Sequence, residues 1–431
     1  MISQFVFGLI LITALFLFYK NAKTIIRNIL LGKKINRFDN VPLRIKTMLL
    51  VAFGQKKMFK RPIAALLHLL VYVGFCVINI EMLEIIIDGL FGTHRILSFL
   101  NGFYDFLIYT FEILAVLVII GCLVFLVRRN IIRVKRLNKA ELNNWPKTDA
   151  NLILLAEILL MTAFLFMNAA DYKLQTLGAQ NYAKVGAFPI SSTFMFILPT
   201  SISSLIAVER FCWWFHIIGV LIFLNYLPIS KHLHIILAFP NTYFTSLTKQ
   251  GQFKNLDAVT QEVKVMFDPS LSPPTSEDPE RFGVKDVLDL TWKNLLDSYT
   301  CTECGRCTAA CPANITGKVL SPRKIMMDTR DRLTEVGKII DQNGSFVNDE
   351  KSLLDDYITR EEIWACTSCN ACVEQCPVNI NPLEIIIGLR QYSVMEESKA
   401  PTTINSMFSN LENNGAPWKY PQADRANWTN K

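Results

Sequence analysis

The sequence predicts a mainly α-helical protein in which a bundle of five transmembrane helices is followed by a soluble α-helical domain. Three observations predict this class. Hydrophobic residues make up 51% of the 431 residues, and charged residues make up only 19%. The apolar residues are gathered into blocks in the first half of the chain, whereas eight of the eleven cysteines are gathered in the second half. A membrane part joined to a soluble part accounts for this distribution.

Five apolar blocks are long enough to cross a bilayer, whose hydrocarbon core of about 30 Å requires about 20 helical residues. A further segment, 188–207, has a similar length but contains two prolines and seven Ser or Thr residues. It is predicted to be a re-entrant or interfacial element that either lines a quinone site or simply covers the bundle, because irregular backbone at membrane depth needs protein or water around it. The five predicted spans are residues 2–19, 62–87, 103–127, 152–170 and 211–229.

Basic residues are concentrated in two of the connections between the spans. Residues 20–61 contain 12 Lys or Arg against one acidic residue, and residues 128–139 read RRNIIRVKRLNK. The connections at 88–102 and 171–208 carry only three basic residues together. Because basic loops face the cytoplasm, the N-terminus is predicted to lie outside and the second half of the chain inside. We therefore expect a multi-pass protein of a bacterial or archaeal cytoplasmic membrane.

The second half contains an internal repeat. The segment CTECGRCTAACPANI begins at Cys301, and CTSCNACVEQCPVNI begins at Cys366, so each cysteine has a counterpart 65 residues later. We call residues 301–311 copy 1 and residues 366–376 copy 2. Each copy has the spacing C-x2-C-x2-C-x3-C-P, in which three thiolates hold one [4Fe-4S] cluster and the fourth holds the other cluster.

The repeat therefore predicts a ferredoxin-like domain with two [4Fe-4S] clusters. Zinc also takes four cysteines, but it requires neither the third cysteine of each run nor the repeated Cys-Pro ending. The predicted ligands are Cys301, Cys304, Cys307 and Cys376 for one cluster, and Cys366, Cys369, Cys372 and Cys311 for the other.

Histidines in the apolar blocks indicate a haem. A histidine inside a span is usually a ligand or a proton carrier, and haem iron in a b-type cytochrome takes two neutral imidazoles, normally from different helices. His216 and His234 are 18 residues apart, which is about 27 Å on one continuous helix, so they cannot share an iron. His68 is the only histidine in another apolar block and is the predicted partner of His216. His232 is predicted to be solvated, and a satisfied core histidine is the competing interpretation for the other two.

The membrane pattern and the cysteine pattern resemble different known subunits. The five-span layout and the histidines 18 residues apart resemble the gamma subunit of respiratory nitrate reductase and the cytochrome b subunit of membrane-bound heterodisulfide reductase. The cysteine repeat, with CTECGRC, CPANITGKVLSP and CPVNI, resembles the iron-sulfur subunit of the same reductase. The chain therefore resembles a fusion of the two, and the resemblance implies that His68 and His216 bind one haem b.

The resemblance leaves a second haem open. The nitrate reductase subunit binds its second haem through a histidine ten residues before the first on the second span, where this chain has Met58 in the basic segment QKKMFKR. His234 therefore has no obvious partner. In an alternative arrangement, His68 pairs with His234 near the inner surface and His216 pairs with His94 near the outer surface. One haem b is predicted, and a second is possible.

Composition divides the chain into four predicted parts. They are a membrane domain at residues 1–235, a linker at 236–285 with the proline-rich hinge DPSLSPPTSEDPE, the two-cluster domain at 286–396, and a polar tail at 397–431. The tail is a candidate docking segment. The sequence contains no G-x-G-x-x-G after a strand-like segment, no P-loop and no adjacent cysteine pair. We therefore expect a separate partner, either a catalytic subunit with an adjacent-cysteine domain or a flavoprotein donor, and no nucleic acid.

Together these features predict an electron-transfer subunit of a quinone-linked oxidoreductase complex. Electrons would pass between a cytoplasmic partner and quinone through the clusters and haem b, in a direction that the sequence leaves open. Glu112 and Glu157, the acidic residues deepest in the spans, are candidate proton donors to quinone. The competing function is a redox-sensing or assembly protein whose clusters do not conduct.

Overall fold

The computed structural model describes residues 1–249, 251–253, 255–268, 270–271 and 281–430. Residues 272–280, which form most of the predicted hinge, lie outside this part. About 71% of the structure is helical, and no β-strand forms among the described residues. The chain divides into two compact units. Unit 1 comprises Met1–Arg27, Asn40–Tyr243 and Tyr299–Gly305, and unit 2 comprises Asn28–Asp39, Phe244–Ser298 and Arg306–Lys431.

Five helices are long and apolar enough to cross a membrane, so the predicted number of spans and the mainly α-helical class are confirmed. The short helix α2 (Val41–Met48) follows the first of them, and α7 (His234–Tyr243) follows the last. The five long helices are α1 (Ile2–Leu30), α3 (Pro62–Phe91), α4 (Gly102–Leu126), α5 (Trp145–Thr176) and α6 (Ile202–Tyr226).

The core of unit 1 lies between these long helices. Helix α4 packs against α3 and α5, and α5 packs against α6. Gly74 permits the close approach of α3 to α4, because a Cβ atom at this position would lie 2.3 Å from Cγ2 of Val118. Small residues at such crossings let membrane helices pack closely. Fully buried apolar side chains fill the interior, and they include Phe111, Phe164 and Ile217.

The segment between α5 and α6 is only partly irregular. Residues Ser191–Ile197 form a 3-10 helix, whereas α6 begins at Ile202, nine residues before the predicted start of the last span. The hydroxyl of Ser201 accepts the backbone N–H of Ser204 at 3.2 Å and caps the helix. The region predicted as a re-entrant element is thus a short 3-10 helix followed by the first turns of α6.

Helix α6 ends before it reaches His234. After Tyr226 the chain forms two single-turn 3-10 helices, Leu227–Ile229 and Lys231–Leu233, before α7 begins. Pro228 lacks a backbone N–H and its ring clashes with the preceding turn, so it cannot continue an α-helix. The premise that His216 and His234 lie on one continuous helix is therefore wrong.

Unit 2 repeats one local structure around the two cysteine copies. In each copy a short helix lies between the cysteines, and a longer helix begins at a proline after the Cys-Pro pair. The short helices α10 and α15 pack together, as do the long helices α12 and α16. The helices, in chain order, are α8 (Asp257–Phe267), α9 (Trp292–Thr300), α10 (Arg306–Ala310), α11 (Pro312–Ile315), α12 (Pro322–Asn343), α13 (Leu353–Asp356), α14 (Arg360–Ala365), α15 (Ala371–Gln375), α16 (Pro382–Met395) and α17 (Thr402–Asn414).

Side-chain caps fix the starts of both long helices of the repeat. Ser321 accepts the backbone N–H of Lys324 at 3.4 Å ahead of α12. Asn381 accepts the N–H groups of Leu383 and Glu384 at 3.2 and 3.3 Å ahead of α16. Proline at the first helical position has no N–H to satisfy there, so this combination begins a helix cleanly.

Candidate iron-sulfur and histidine sites

Four cysteines predicted to bind one cluster, namely Cys311 of copy 1 and the first three cysteines of copy 2, lie near one another in unit 2. Burial raises the pKa of the Cys372 thiol to about 12, and the neighbouring thiols of Cys366, Cys311 and Cys369 raise it further. Burial also raises the pKa of Cys366, to which Cys311 and Cys369 again contribute. The last cysteine of copy 1 therefore lies beside the first three cysteines of copy 2. Packing of α10 against α15 produces this arrangement.

The loops between the first three cysteines have the same unusual backbone in both copies. Glu303 and Gly305 of copy 1 have φ angles of 54° and 69°, and the counterparts Ser368 and Asn370 have φ angles of 56° and 59°. Residues that alternate between right-handed and left-handed conformations turn successive N–H groups into a concave nest for anions, a feature of many iron-sulfur sites. This backbone fits a negatively charged cluster in each copy.

Two cysteine sulfurs also accept backbone hydrogen bonds within unit 2. The N–H of Ser368 donates to Sγ of Cys366 at 3.4 Å, and the N–H of Ile380 donates to Sγ of Cys376 at 3.3 Å. Such bonds stabilise thiolates and influence the reduction potential of a cluster. The two sulfurs belong to different predicted ligand sets, so each set has at least one bonded thiolate.

The remaining predicted ligand set is divided between the units. Cys307 and Cys376 belong to unit 2, whereas Cys301 and Cys304 belong to unit 1. Within the ranges that the structure describes, no three His, Cys, Asp or Glu side chains are close enough together to hold a single metal ion.

Residues of copy 1 form polar contacts with other parts of unit 1. The guanidinium of Arg136 donates to the carbonyl of Cys304 at 2.7 Å. The ammonium of Lys231 donates to the Glu303 carboxylate, and both side chains are almost fully buried. No sequence pattern indicated the second contact, because a Lys and a Glu 72 residues apart have no periodic relation.

His68 and His234 are brought together by the break after α6. Their ring centroids are 6.4 Å apart and the ring planes are inclined at 50°. Nδ1 of His68 lies 3.1 Å from Oε1 of Gln55, and Nδ1 of His234 lies 3.1 Å from the carbonyl of Lys231. Of the predicted pairs, the structure thus brings together the rings of the alternative pair, His68 and His234.

His216 and His94 lie at different levels along α5. Nδ1 of His216 is 2.9 Å from the carbonyl of Leu160, and Nε2 of His94 is 3.4 Å from Oδ1 of Asp171. These two α5 residues are 11 positions apart, which corresponds to about 16 Å along a helix. The structure therefore does not bring His216 and His94 together.

His232 is half-buried, whereas the sequence predicted a solvated residue. Its ring packs against those of Phe223 and His234, at centroid distances of 5.3 and 5.6 Å. Burial lowers the pKa of His232 to about 3, and the neighbouring rings of His234 and His68 lower it further. Burial lowers the pKa of His234 as well. His232 and His234 are therefore neutral at physiological pH, and a neutral imidazole is the form that binds a metal.

A buried polar network joins α3, α4 and α5 at the end of the bundle opposite to His68 and His234. Arg95 is the centre of this network, although the sequence indicated it only as a loop charge. Its guanidinium pairs with Asp171, donates to Asn168 at 2.8 Å and donates to the Tyr104 hydroxyl at 3.1 Å. Tyr104 in turn donates to Glu84 at 3.0 Å. A buried arginine with several acceptors satisfies the requirement that buried charges be paired.

The acidic residues of unit 1 differ in how many hydrogen bonds their carboxyl oxygens accept. Glu112 accepts hydrogen bonds from Asn168 and from the N–H groups of Ile190 and Ser191, at 3.3, 2.9 and 3.1 Å. Glu81 is also buried, yet its Oε2 atom has no hydrogen-bond partner among the described residues. Glu157 is half-buried on α5. Of the acids near the network, Glu81 therefore has an oxygen available to hold a proton.

Comparisons with known proteins agree with the cysteine repeat. Residues 300–380 match the family model of a 4Fe-4S dicluster domain. A probable iron-sulfur-binding oxidoreductase FadF from Bacillus subtilis is 30% identical over 96% of this chain and 59% of its own length. An EtfAB:quinone oxidoreductase from Syntrophomonas wolfei is 28% identical over 92% of this chain and 55% of its own. The chain thus spans somewhat more than half the length of these curated relatives.

A third relative matches a shorter part of the chain. It is a subunit of the ferredoxin/F(420)H(2)-dependent CoB-CoM heterodisulfide reductase from Methanosarcina acetivorans, which is 30% identical over 118 residues, or 27% of this chain and 59% of its own length. No solved structure matches the chain. The chain is a fusion in which a 4Fe-4S dicluster domain, like that of this heterodisulfide reductase, follows a membrane part with five candidate spans.

Proposed function

We propose that this protein is a membrane-bound electron conduit, which passes electrons between a soluble oxidoreductase partner and the quinone pool through two [4Fe-4S] clusters and haem b. The observation that carries the proposal is at Lys231. Its backbone carbonyl is bonded to the His234 ring, and its ammonium is bonded to Glu303 in copy 1. One residue therefore connects a predicted cluster loop with a predicted haem ligand.

The cysteines of the repeat are proposed to hold the clusters in the crossed arrangement. The proximity of Cys311 to Cys366, Cys369 and Cys372 supports this assignment for one cluster. The backbone nests at Glu303 to Gly305 and at the equivalent residues of copy 2 support it for both. By the same rule, Cys301, Cys304, Cys307 and Cys376 hold the other cluster.

His68 and His234 are the proposed ligands of haem b. Metal–imidazole bonds of about 2.0 Å on both sides of an iron would hold the two ring centroids roughly 6 Å apart, which agrees with the measured 6.4 Å. The acceptors at Nδ1, namely Gln55 and the carbonyl of Lys231, orient the two rings as outer partners of metal ligands commonly do. His216 contacts α5 at Leu160 and is not part of this pair. Its proposed role is to bind a second haem or to pack in the core.

Quinone is proposed to react at the end of the bundle that contains the Arg95 network. When bound, the clusters and the haem supply electrons, and quinone reduction also consumes protons. Buried acids at the ends of α3 and α5 can hold those protons, and the available oxygen of Glu81 supports this role. The 3-10 helix at Ser191–Ile197, which contacts Glu112, is a candidate wall of the site.

The soluble partner and the membrane orientation are part of the proposal. The name of the Syntrophomonas relative joins EtfAB with quinone, and we propose a partner of this kind, either a flavoprotein donor or a separate catalytic subunit. The basic residues of 20–61 and 128–139 support a cytoplasmic position for the cysteine domain and an outer N-terminus.

Anaerobic reduction followed by addition of a water-soluble quinone tests the proposal. The purified protein is reduced with dithionite, and the absorbance of the clusters and of haem b is followed after the quinone is added. We expect both chromophores to be reoxidised. Clusters that remain reduced would contradict conduction and favour the redox-sensing function. A pyridine haemochrome assay that finds no haem would overturn the haem assignment and leave the cluster assignment standing.

A further inference from the structure

The long helix of each repeat places an arginine at the same position. Helix α12 begins at Pro322 and α16 begins at Pro382. The eighth residue after the proline is Arg330 in α12 and Arg390 in α16. The repeat therefore extends beyond the cysteines into the helices that follow them. The two copies nevertheless give this arginine different surroundings.

All three nitrogen atoms of the Arg390 guanidinium contact the loop of copy 2 or the residue Ile363 before it. Its Nε donates to the carbonyl of Ile363 at 2.8 Å, and Nη2 donates to the carbonyl of Cys366. Its Nη1 lies 3.4 Å from Oγ of Ser368, the residue whose N–H donates to the sulfur of Cys366. The guanidinium also lies 5.0 Å from the ring centroid of Trp364. A planar fork with several fixed donors suits this task better than a lysine ammonium does.

The charge of Arg390 is not neutralised by an acid. Among the residues that the structure describes, its partners are two carbonyls, a hydroxyl and an aromatic ring, and none is a carboxylate. In copy 1, Nε of Arg330 lies 3.2 Å from Oδ1 of Asp331. The counterpart of Asp331 in copy 2 (331 + 60) is Gln391, which is neutral.

This difference has a consequence for the clusters. A [4Fe-4S] cluster becomes more negative when it is reduced, so a fixed positive charge nearby favours the reduced form and raises the reduction potential. The effect is strong where water is excluded, because the effective dielectric constant is lower there. A neighbouring carboxylate reduces the effect by cancelling part of the charge.

We propose that Arg390 is a positioning residue that raises the reduction potential of the cluster held by Cys311, Cys366, Cys369 and Cys372. It does so by its uncompensated charge and by holding the loop at Cys366. The inference rests on the proposed cluster ligands but not on haem or quinone.

Redox titration of the full-length protein, followed by electron paramagnetic resonance, tests the inference. In Arg390→Gln, which removes the charge and retains hydrogen-bond donors, we expect the ratio of reduced to oxidised cluster at the original midpoint to fall about tenfold for one cluster only, equivalent to a shift of about 59 mV. Arg390→Lys retains the charge and should shift the same cluster less. Iron content is measured for every sample.

Two further variants separate charge from packing. Gln391→Asp gives copy 2 the carboxylate that copy 1 has and leaves the contacts of Arg390 in place, so it should lower the same potential. Asp331→Gln is the matched control: it removes an exposed carboxylate that lies beside Arg330 and not beside Arg390, so it should leave this potential unchanged. If Arg390→Gln loses iron, the potential measured in Gln391→Asp shows whether the charge of Arg390 acts on the cluster.

Three results would overturn the inference. They are unchanged potentials in Arg390→Gln with full iron content, an unchanged potential in Gln391→Asp, or an equal shift of both clusters. A wild-type protein that lacks two clusters would instead contradict the cluster assignment. These failures are distinguishable because iron and cluster signals are counted before any potential is compared.

Discussion

Single residues decide how the parts of unit 1 are connected. Lys231 lies between Ser230 and His232, and its backbone N–H and ammonium both approach Asp149, at 3.1 and 3.8 Å. The same ammonium bonds to Glu303 and to the carbonyl of Pro146. A buried ammonium with this many acceptors holds a loop in one position, because leaving any of the charged groups unpaired is costly.

Replacement of the Lys231–Glu303 pair is expected to slow electron transfer to the haem. A Lys231→Met, Glu303→Gln double variant leaves no charge of this pair unpaired, and the copy 1 loop loses its link to the His234 segment. We expect haem reduction after cluster reduction to slow roughly tenfold or more, because small displacements of reacting groups have large effects on rate. Stopped-flow absorbance at the haem band measures the rate.

The control for this variant is Lys147→Ala, because Lys147 is exposed on the first turn of α5. It should leave the rate unchanged. A double variant with normal iron and haem content and a wild-type rate would show that the pair has no part in the connection.

The two candidate haem ligands on α6 and α7 can be distinguished by substitution. His234→Ala removes a ring that lies 6.4 Å from His68, so we expect it to abolish binding of the haem. His216→Ala leaves that pair intact and should retain it. Haem content per iron, from the pyridine haemochrome assay, measures the difference. Loss of haem in His216→Ala alone would restore the pairing of His68 with His216.

Among the elements of unit 1, the ends of helices carry the functional groups. The break at Pro228 turns the chain so that α7 begins at His234 beside α3. The other ends of α3 and α5 contribute Glu84 and Asp171 to the Arg95 network. Helix interiors supply the apolar packing between these two levels, which keeps the polar groups at separate places along the bundle.

The role of the available carboxyl oxygen near the Arg95 network can be tested at Glu81. Glu81→Gln keeps the shape and removes the ionisable group, and we expect the quinone reductase rate to fall at least about twofold, since intramembrane carboxyls are commonly proton carriers. Glu157→Gln tests in the same way the other candidate acid, which is half-buried on α5. An unchanged rate in Glu81→Gln with normal haem reduction would remove Glu81 from the proton path.

A buried ion network joins distant segments of unit 2. Arg332 on α12 is fully buried and bonds to Asp286 at 2.7 Å, to Asp349 and to the carbonyl of Lys351 at 2.9 Å. Hydrogen bonds from the Arg332 guanidinium hold the pKa of Asp349 below its ordinary value. These contacts fix the loop between α12 and α13.

Removal of the Arg332 guanidinium should destabilise unit 2 strongly. Arg332→Met leaves two carboxylates without their cation, and loss of one partner of a buried pair costs about 3–5 kcal/mol. Native-state hydrogen exchange of α12 measures the free energy of unfolding. Lys351→Ala breaks only an exposed pair with Glu335 at 3.3 Å and should cost less than about 1 kcal/mol. Equal effects of the two substitutions would contradict the role of burial.

The molecule as a whole joins a membrane part to a dicluster domain and leaves an exposed tail. Residues 397–431 include α17 and the exposed side chains Trp418 and Trp428. Exposed aromatic residues are common anchors at protein interfaces. We propose that this tail docks the soluble partner.

Truncation of residues 401–431 tests the docking role of the tail. We expect the truncated protein to keep its iron and haem and to retain markedly less partner in a pull-down, because the exposed tryptophans are lost. A Trp418→Ala, Trp428→Ala variant should give the same loss with the full chain length. Unchanged recovery of the partner in both variants would place docking elsewhere.

Features that depend on local spacing were predictable without the structure. Four cysteines in the pattern C-x2-C-x2-C-x3-C-P specify their chemistry within eleven residues, and a run of about 20 apolar residues specifies a span. The class of the fold and the number of spans were predictable for this reason. The dicluster domain was likewise predictable from the cysteine repeat alone.

The meeting of distant side chains depends instead on tertiary packing. The proximity of His68 to His234, the link from Lys231 to Glu303 and the burial of Arg95 all join residues on different elements. Periodicity gives the face of a helix on which a residue lies, but it does not give the neighbour of that face. The ring of His234 lies beside His68 because a proline after Tyr226 ends α6 and lets the chain turn towards α3.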